Sequence, residues 1–211
     1  MKRLVSVMVL TFCIAAFGFA QTKEIKPKGV YKKIEVTKHN SAIENLQSKK
    51  RKQESIDAIL KSPHSYNPPV LFALSRELFQ QGKKDDAAYW FYVAQLRARY
   101  DANLCLDNSA KQAVAVLNNA YGPEINKYAF QDIDKLEKTV ERVVEFVKSN
   151  EETYDHRWIN LHGMGAVMAG LSDEKEGTEL SQPKDQWEAI KKQTVDDYYN
   201  GFVEHAKSQK K

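Results

Sequence analysis

Residues 71–99 read LFALSRELFQQGKKDDAAYWFYVAQLRAR, and their spacing decides the fold class. Leu71, Leu74, Leu78 and Phe79 recur at intervals of three, four and one, which is the stripe of an amphipathic helix. Asn67 ahead of it supplies a cap, and Pro68 and Pro69 fit a first turn, where a missing N–H costs nothing. Gly82 closes that helix. A second one opens with Asp85 and Asp86 at the positive end of its dipole and carries Arg97 and Arg99 at the negative end. Its buried face reads Ala87, Trp90 or Phe91, Ala94 and Ala98, so small residues let it approach a neighbour while large ones fill the gaps. The two helices form an antiparallel hairpin.

That hairpin resembles the tetratricopeptide (TPR/Sel1-like) helical repeat over residues 71–99. Leu71, Leu74 and Leu78 stand at the large apolar positions of its first helix, Ser75 at the small one and Gly82 at the turn. Ala87, Phe91 and Ala94 then fall on the small, aromatic and small positions of the second helix. Arg99 stands where the repeat usually has proline, and Leu71 where it usually has an aromatic residue. The match spans one repeat, whereas stacked repeats need about three units to bury a continuous core. The resemblance implies a concave surface for proteins or peptides.

Helical periodicity extends in both directions. Ile56, Ile59 and Leu60 predict a short helix ending before Pro63. On the other side a helix starting at Asp107 or Asn108 carries Ala110, Ala113, Val114 and Leu117, and is predicted to stop at Gly122-Pro123. Asp132 caps the most regular stretch, in which Ile133, Leu136, Val140, Val143, Val144 and Val147 share one face opposite charged residues. A further helix carries Trp158, Leu161, Val167 and Met168. A Gly/acid loop over 172–182 separates it from a last helix that begins at Pro183 and aligns Trp187, Ile190, Thr194, Tyr198 and Phe202. The expectation is an all-α, repeat-like bundle of antiparallel hairpins, about six helices over residues 53–207, with a charged tail at 208–211.

The first twenty residues read as a secretory signal: Lys2 and Arg3, an apolar run from Leu4 to Phe17, then Gly18-Phe19-Ala20 before Gln21. The run falls short of the ~20 apolar residues of a bilayer span. Phe12 before Cys13 argues against lipidation. Export to the periplasm or the outside follows, with no stable membrane insertion after cleavage. Cys105 is then the one remaining cysteine, unable to close an intramolecular disulfide, and reads as a small buried apolar residue.

The formal net charge is +4, from 32 basic and 28 acidic residues, and the excess sits in residues 21–52. Ten lysines and arginines there oppose Glu24, Glu35 and Glu44, and with Pro27 and Gly29 they predict a mobile basic arm, extended at most over 30–36. Such runs are usually solvated linkers. Nucleic acid is a poor partner for an exported chain.

Chemistry-bearing motifs are sparse. The densest polar cluster is Asp155-His156-Arg157, followed by His162. The two histidines are six residues apart, so a helix of ~3.6 residues per turn presents them on different faces and does not chelate a metal with both. No Cys/His zinc spacing, Gly-rich phosphate loop or nucleophile elbow occurs, so neither a cofactor nor a metal is predicted. Asp155 reads as a helix cap. The expected function is a protein- or peptide-binding scaffold or adaptor of the cell envelope, with homo-oligomerisation open. The alternatives are an exported inhibitor of a toxin or hydrolase, and an enzyme built on Asp155, His156, Arg157 and His162. Candidate partner-binding residues are Tyr89, Trp90, Tyr92, Arg97, Asp155, His156, Arg157 and His162.

Overall fold

The computed structural model describes residues 26–171 and 179–209. The expected signal at 1–20 lies outside them, as do most of the Gly/acid loop and the last two residues. Among the described residues the chain is all-α: α1 (Thr37–Gln47), α2 (Lys52–Lys61), α3 (Pro68–Gln80), α4 (Lys84–Leu104), α5 (Gln112–Ala129), α6 (Ile133–Ser149), α7 (Met164–Leu171) and α8 (Trp187–Gln209). Short 3-10 turns cover Gly29–Lys33, Pro63–Ser65, His156–His162 and Lys184–Gln186. Seven of these, α2 to α8, occupy the stretch where about six are expected, and α1 precedes them in the basic arm.

The α3–α4 hairpin is the centre of the bundle. Helix α4 packs against α3, α5, α6 and α8, and α3 is covered by α1, α2 and α5. Both are buried around much of their circumference, and the polar side chains of Ser75, Glu77, Arg97 and Asp101 are enclosed with the apolar ones. Gly82 turns the chain between them at φ 80°. Its N–H donates to Phe79 O at 3.0 Å and the Lys83 N–H to Leu78 O at 3.0 Å. This pair of bonds closes the carbonyl end of α3 through a left-handed residue that only glycine adopts freely.

Helix α6 matches its sequence reading closely. The Asp132 carboxylate accepts the Lys135 N–H at 3.0 Å. Leu136, Val140, Val143 and Val147 are buried, each contributing roughly 2 kcal/mol of apolar burial. Helix α8 crosses α4 and α6 and is fixed by Tyr198 Oη donating to Gln95 Oε1 at 2.8 Å and Asn103 Nδ2 donating to Thr194 Oγ1 at 2.8 Å. Cys105 is buried, as expected, and burial raises its thiol pKa.

Three expectations are corrected. The basic arm is not mobile chain over residues 29–52: a 3-10 turn, α1 and the start of α2 occupy it. Tyr31 and Ile34 pack with Ala166, Ala169 and Leu180, while Ala42 and Leu46 join the main core. Its few apolar residues suffice because they fall on one face each. Gly122-Pro123 does not end α5, which continues to Ala129 with Pro123 inside it. A Cβ on Gly122 would lie 3.0 Å from Phe91 Cζ, so this glycine serves close helix packing rather than a turn. Finally, the expected helix through Trp158 and Val167 breaks at Gly163 into a 3-10 turn and α7. Asp107 drives the break: its carboxylate accepts the Gly165 N–H at 3.0 Å, and Ser109 Oγ accepts the Met164 N–H at 2.7 Å.

Candidate functional site

A cleft of about 510 Å³ is bounded by α1, the start of α3, the first half of α5 and the 156–162 turn. Each wall is one face of its element. Val36, Asn40 and Ile43 are spaced by four and three along α1; Gln112, Ala113, Val116 and Leu117 lie together on α5; Trp158 and Leu161 are one 3-10 turn apart. Asn67, Pro69, Ser109 and His162 complete it. The size falls within the ~300–1,000 Å³ of small-ligand and peptide-anchor sites.

No Asp, Glu, Lys or Arg lines the cleft. His162, at the rim, has its imidazole pKa lowered by surrounding protein and is therefore neutral at pH 7. Three further concavities, by contrast, include charged walls: Asp85 and Lys135, Lys38 and Glu54, and Glu141 with Lys148 and Asp196. The cleft is thus an apolar, uncharged slot carrying neutral amide side chains.

Beneath it lies a buried polar network. Trp158 Nε1 donates to Asp101 Oδ2 at 2.7 Å, and Tyr154 Oη donates to the same oxygen at 3.0 Å. Burial, reinforced by the nearby Glu152 charge, holds the Asp101 carboxyl well above the usual carboxylate range, although the two donors oppose it. Behind α1, the Asn67 backbone N–H donates to His39 Nδ1 at 3.3 Å. His39 sits edge-on between Tyr66 and Tyr154, and burial, aided by Lys38, lowers its pKa.

The structure separates the candidates that the sequence suggested. Arg97 is fully buried and belongs to the interior: Nη1 donates to Pro63 O at 3.0 Å, Nε lies 3.4 Å from Glu152 Oε1, and the guanidinium covers the Phe146 ring at 5.0 Å. Tyr92 is buried and donates to Asn126 Oδ1 at 2.9 Å. Trp90 is buried edge-on to Tyr89 and Phe146. These three therefore offer no surface to a partner. All three stand among the partner-binding candidates of the sequence, but α3, α5, α6 and α8 pack around α4. Tyr89 is half-buried beneath Arg142, whose guanidinium lies 4.9 Å from its ring centroid.

Nor does the Asp-His-Arg-His cluster converge. Asp155 caps the 156–162 turn through the Arg157 N–H at 3.0 Å and holds the Arg157 guanidinium at 2.8 and 2.7 Å. Those bonds outweigh burial and keep its carboxyl below the ordinary range. His156 shares a 2.9 Å hydrogen bond between Nε2 and Ser181 Oγ, and lies edge-on to Trp187 with ring centroids 4.4 Å apart. Burial pushes its pKa down to about 4. Of the four, only His162 lines the cleft. No group of three metal-ligating side chains occurs among the described residues.

Sequence reasoning missed most of the cleft. Val36 and Asn40 fall in the lysine-rich arm, and Val116 belongs to no apolar stripe. No sequence signal marks Val116, whose 64% exposure emerges only from the fold. No family model, curated protein or solved structure matches the chain. Among the described residues no helix is long and apolar enough to cross a membrane.

Proposed function

We propose that this chain is a binding module, a scaffold or adaptor exported from the cytoplasm, that seats an apolar segment of a partner protein or peptide in the cleft between α1, α5 and the 156–162 turn. One observation carries the reading: a cleft of about 510 Å³ whose walls hold no charged side chain, in a chain with 28% charged residues. Burying a partner's apolar side chains there releases water at ~25 cal/mol per Å², and an uncharged wall imposes no charge-desolvation penalty. Val116, Met164 and Met168 add exposed apolar surface on α5 and α7, and methionines adapt their shape to a partner.

Acid–base catalysis has less support. His156 and Asp155 are committed to Ser181 and Arg157, and neither lines the cleft with His162. Capture from the envelope fraction of the exporting cell tests the proposal. Wild-type protein should retain a partner that Val116→Glu loses and His156→Ala keeps. Equal capture by Val116→Glu, or loss on His156→Ala with the fold intact, contradicts it.

A further inference from the structure

Asp101 is enclosed on α4, and its two oxygens are used unequally. Trp158 Nε1 and Tyr154 Oη both donate to Oδ2, whereas the buried Oδ1 receives no hydrogen bond from the protein. An ionised carboxylate spreads its charge over both oxygens and calls for donors on each. A neutral carboxyl differs, because its carbonyl oxygen has two lone pairs and two donors fill them. Among the described residues no basic side chain forms an ion pair with Asp101; Arg97 and Lys191 pair with Glu152 instead, at 3.4 and 2.8 Å. Leaving one hydroxyl unpaired costs less than enclosing an uncompensated anion, so the geometry favours the protonated form. The other titratable groups around it bring no compensating charge. Burial raises the pKa of Tyr154 and, on α4 and at its end, of Tyr100 and Cys105, so all three are neutral. His39, edge-on to Tyr154, is pushed down and is neutral at pH 7.

We propose that Asp101 is a proton-operated latch for residues 150–162: protonated, it clasps Trp158 and Tyr154 to α4, and loss of the proton loosens that segment. The inference does not depend on what the cleft binds. The two sides of the latch differ in freedom. Helix α4 has α3, α5, α6 and α8 around it and cannot carry Asp101 outward. The 150–162 segment joins α6 to α7 through a 3-10 turn, with Glu151 and Thr153 exposed. Its other polar ties include the Glu152 ion pairs and the single bonds from Thr153 N–H to His64 O and from Asn160 Nδ2 to Leu180 O, both 3.0 Å. An ionised Asp101 therefore reaches water or further donors by displacing this segment. Burial, reinforced by Glu152 against the two donors, holds the carboxyl well above the ordinary aspartate value of 3.8. The latched state thus keeps a proton that the opened state releases. Latching is complete below 3.8 and weakens as pH rises towards the folded value, the opening constant growing about tenfold per pH unit in between.

The proton is read from the side-chain carboxyl carbons of protein labelled with carbon-13 aspartate, titrated from acid through neutral pH, with Asp101 assigned by the signal that Asp101→Asn removes. Opening is read from hydrogen exchange of the Trp158 indole N–H, corrected for the intrinsic rate. Asp101 is expected to keep its protonated shift at pH values where the exposed aspartates have ionised. Indole protection in wild type relative to Asp101→Asn should fall about tenfold per pH unit until the carboxyl ionises; His39 and His156 are common to both proteins, so the ratio removes them. A carboxyl that ionises with the surface aspartates overturns the proposal, and so does a protection ratio that is flat with pH. Glu152→Gln, which keeps Asp101, gives a second reading. It should lower the Asp101 midpoint and carry the protection profile down with it, and a profile that stays put while the midpoint moves rejects the latch.

Discussion

The indole N–H of Trp158 donates to Asp101 Oδ2 at 2.7 Å, tying the floor of the cleft to the most enclosed helix of the bundle. Tyr154 shares the same oxygen, so one carboxyl group orients two aromatic rings. Removing it strands two buried donors, each costing ~1–3 kcal/mol. Asp101→Ala is expected to lose about 3 kcal/mol in urea unfolding. Asp101→Asn keeps an acceptor oxygen for both donors and should lose about 1 kcal/mol. Equal losses would mean that the ring bonds contribute nothing.

Acid sensitivity is built into the histidines. Burial pushes His156 from 6.5 down to about 4 and lowers His39 as well. Between these values the unfolded chain binds a proton that the folded one refuses, so stability rises with pH. The contribution is complete above pH 6.5 and is lost as pH falls from 6.5 towards 4. The raised pKa of Asp101 works in the opposite direction, which a comparison removes. His156→Gln retains a partner for Ser181 but does not titrate, so its melting temperature should fall less than that of the wild type between pH 6.5 and 4. Parallel profiles would refute the assignment.

Two glycines hold α7 in place. A Cβ on Gly163 would collide with the Asp107 carboxylate, and one on Gly165 with the Tyr31 hydroxyl. Gly163→Ala is predicted to displace the Asp107 cap and expose α7, with proteolysis near residues 164–171 accelerating while the α3–α4 core stays protected. Unchanged cleavage would show that Asp107 can move without consequence.

At the central hairpin, Gly82→Ala meets open space but a φ of 80°. Backbone strain alone should therefore destabilise it by about 1 kcal/mol, read from denaturant midpoints. Gly201→Ala, with neither strain nor contact, should be neutral or slightly stabilising. A neutral Gly82→Ala would argue against the left-handed closure of α3.

Legibility tracked periodicity. The α3–α4 hairpin, the Asp132 cap and the valine face of α6 were readable because each signal is local and repeats every three or four residues. The 29–52 segment was not, since lysines dominate its composition while Tyr31, Ile34, Ala42 and Leu46 bury singly against distant elements. Gly122-Pro123 carried a turn signal that packing against Phe91 overrides. Candidate site residues failed for a related reason: Trp90, Tyr92 and Arg97 look like surface chemistry until four helices close around α4. The cleft itself joins residues 36 to 162, and spacing along one element does not reveal such a junction.

We propose that the slot between α1, α5 and the 156–162 turn is where this protein meets its partner. Amide chemical-shift mapping of the nitrogen-15-labelled chain, titrated with acetyl-Leu-Val-Phe-amide, checks this residue by residue. Saturable shifts are expected to concentrate at Asn40, Ile43, Ala113, Val116, Leu161 and His162. Shifts centred on the charged groove between α6 and α8, or none at millimolar peptide, would contradict it.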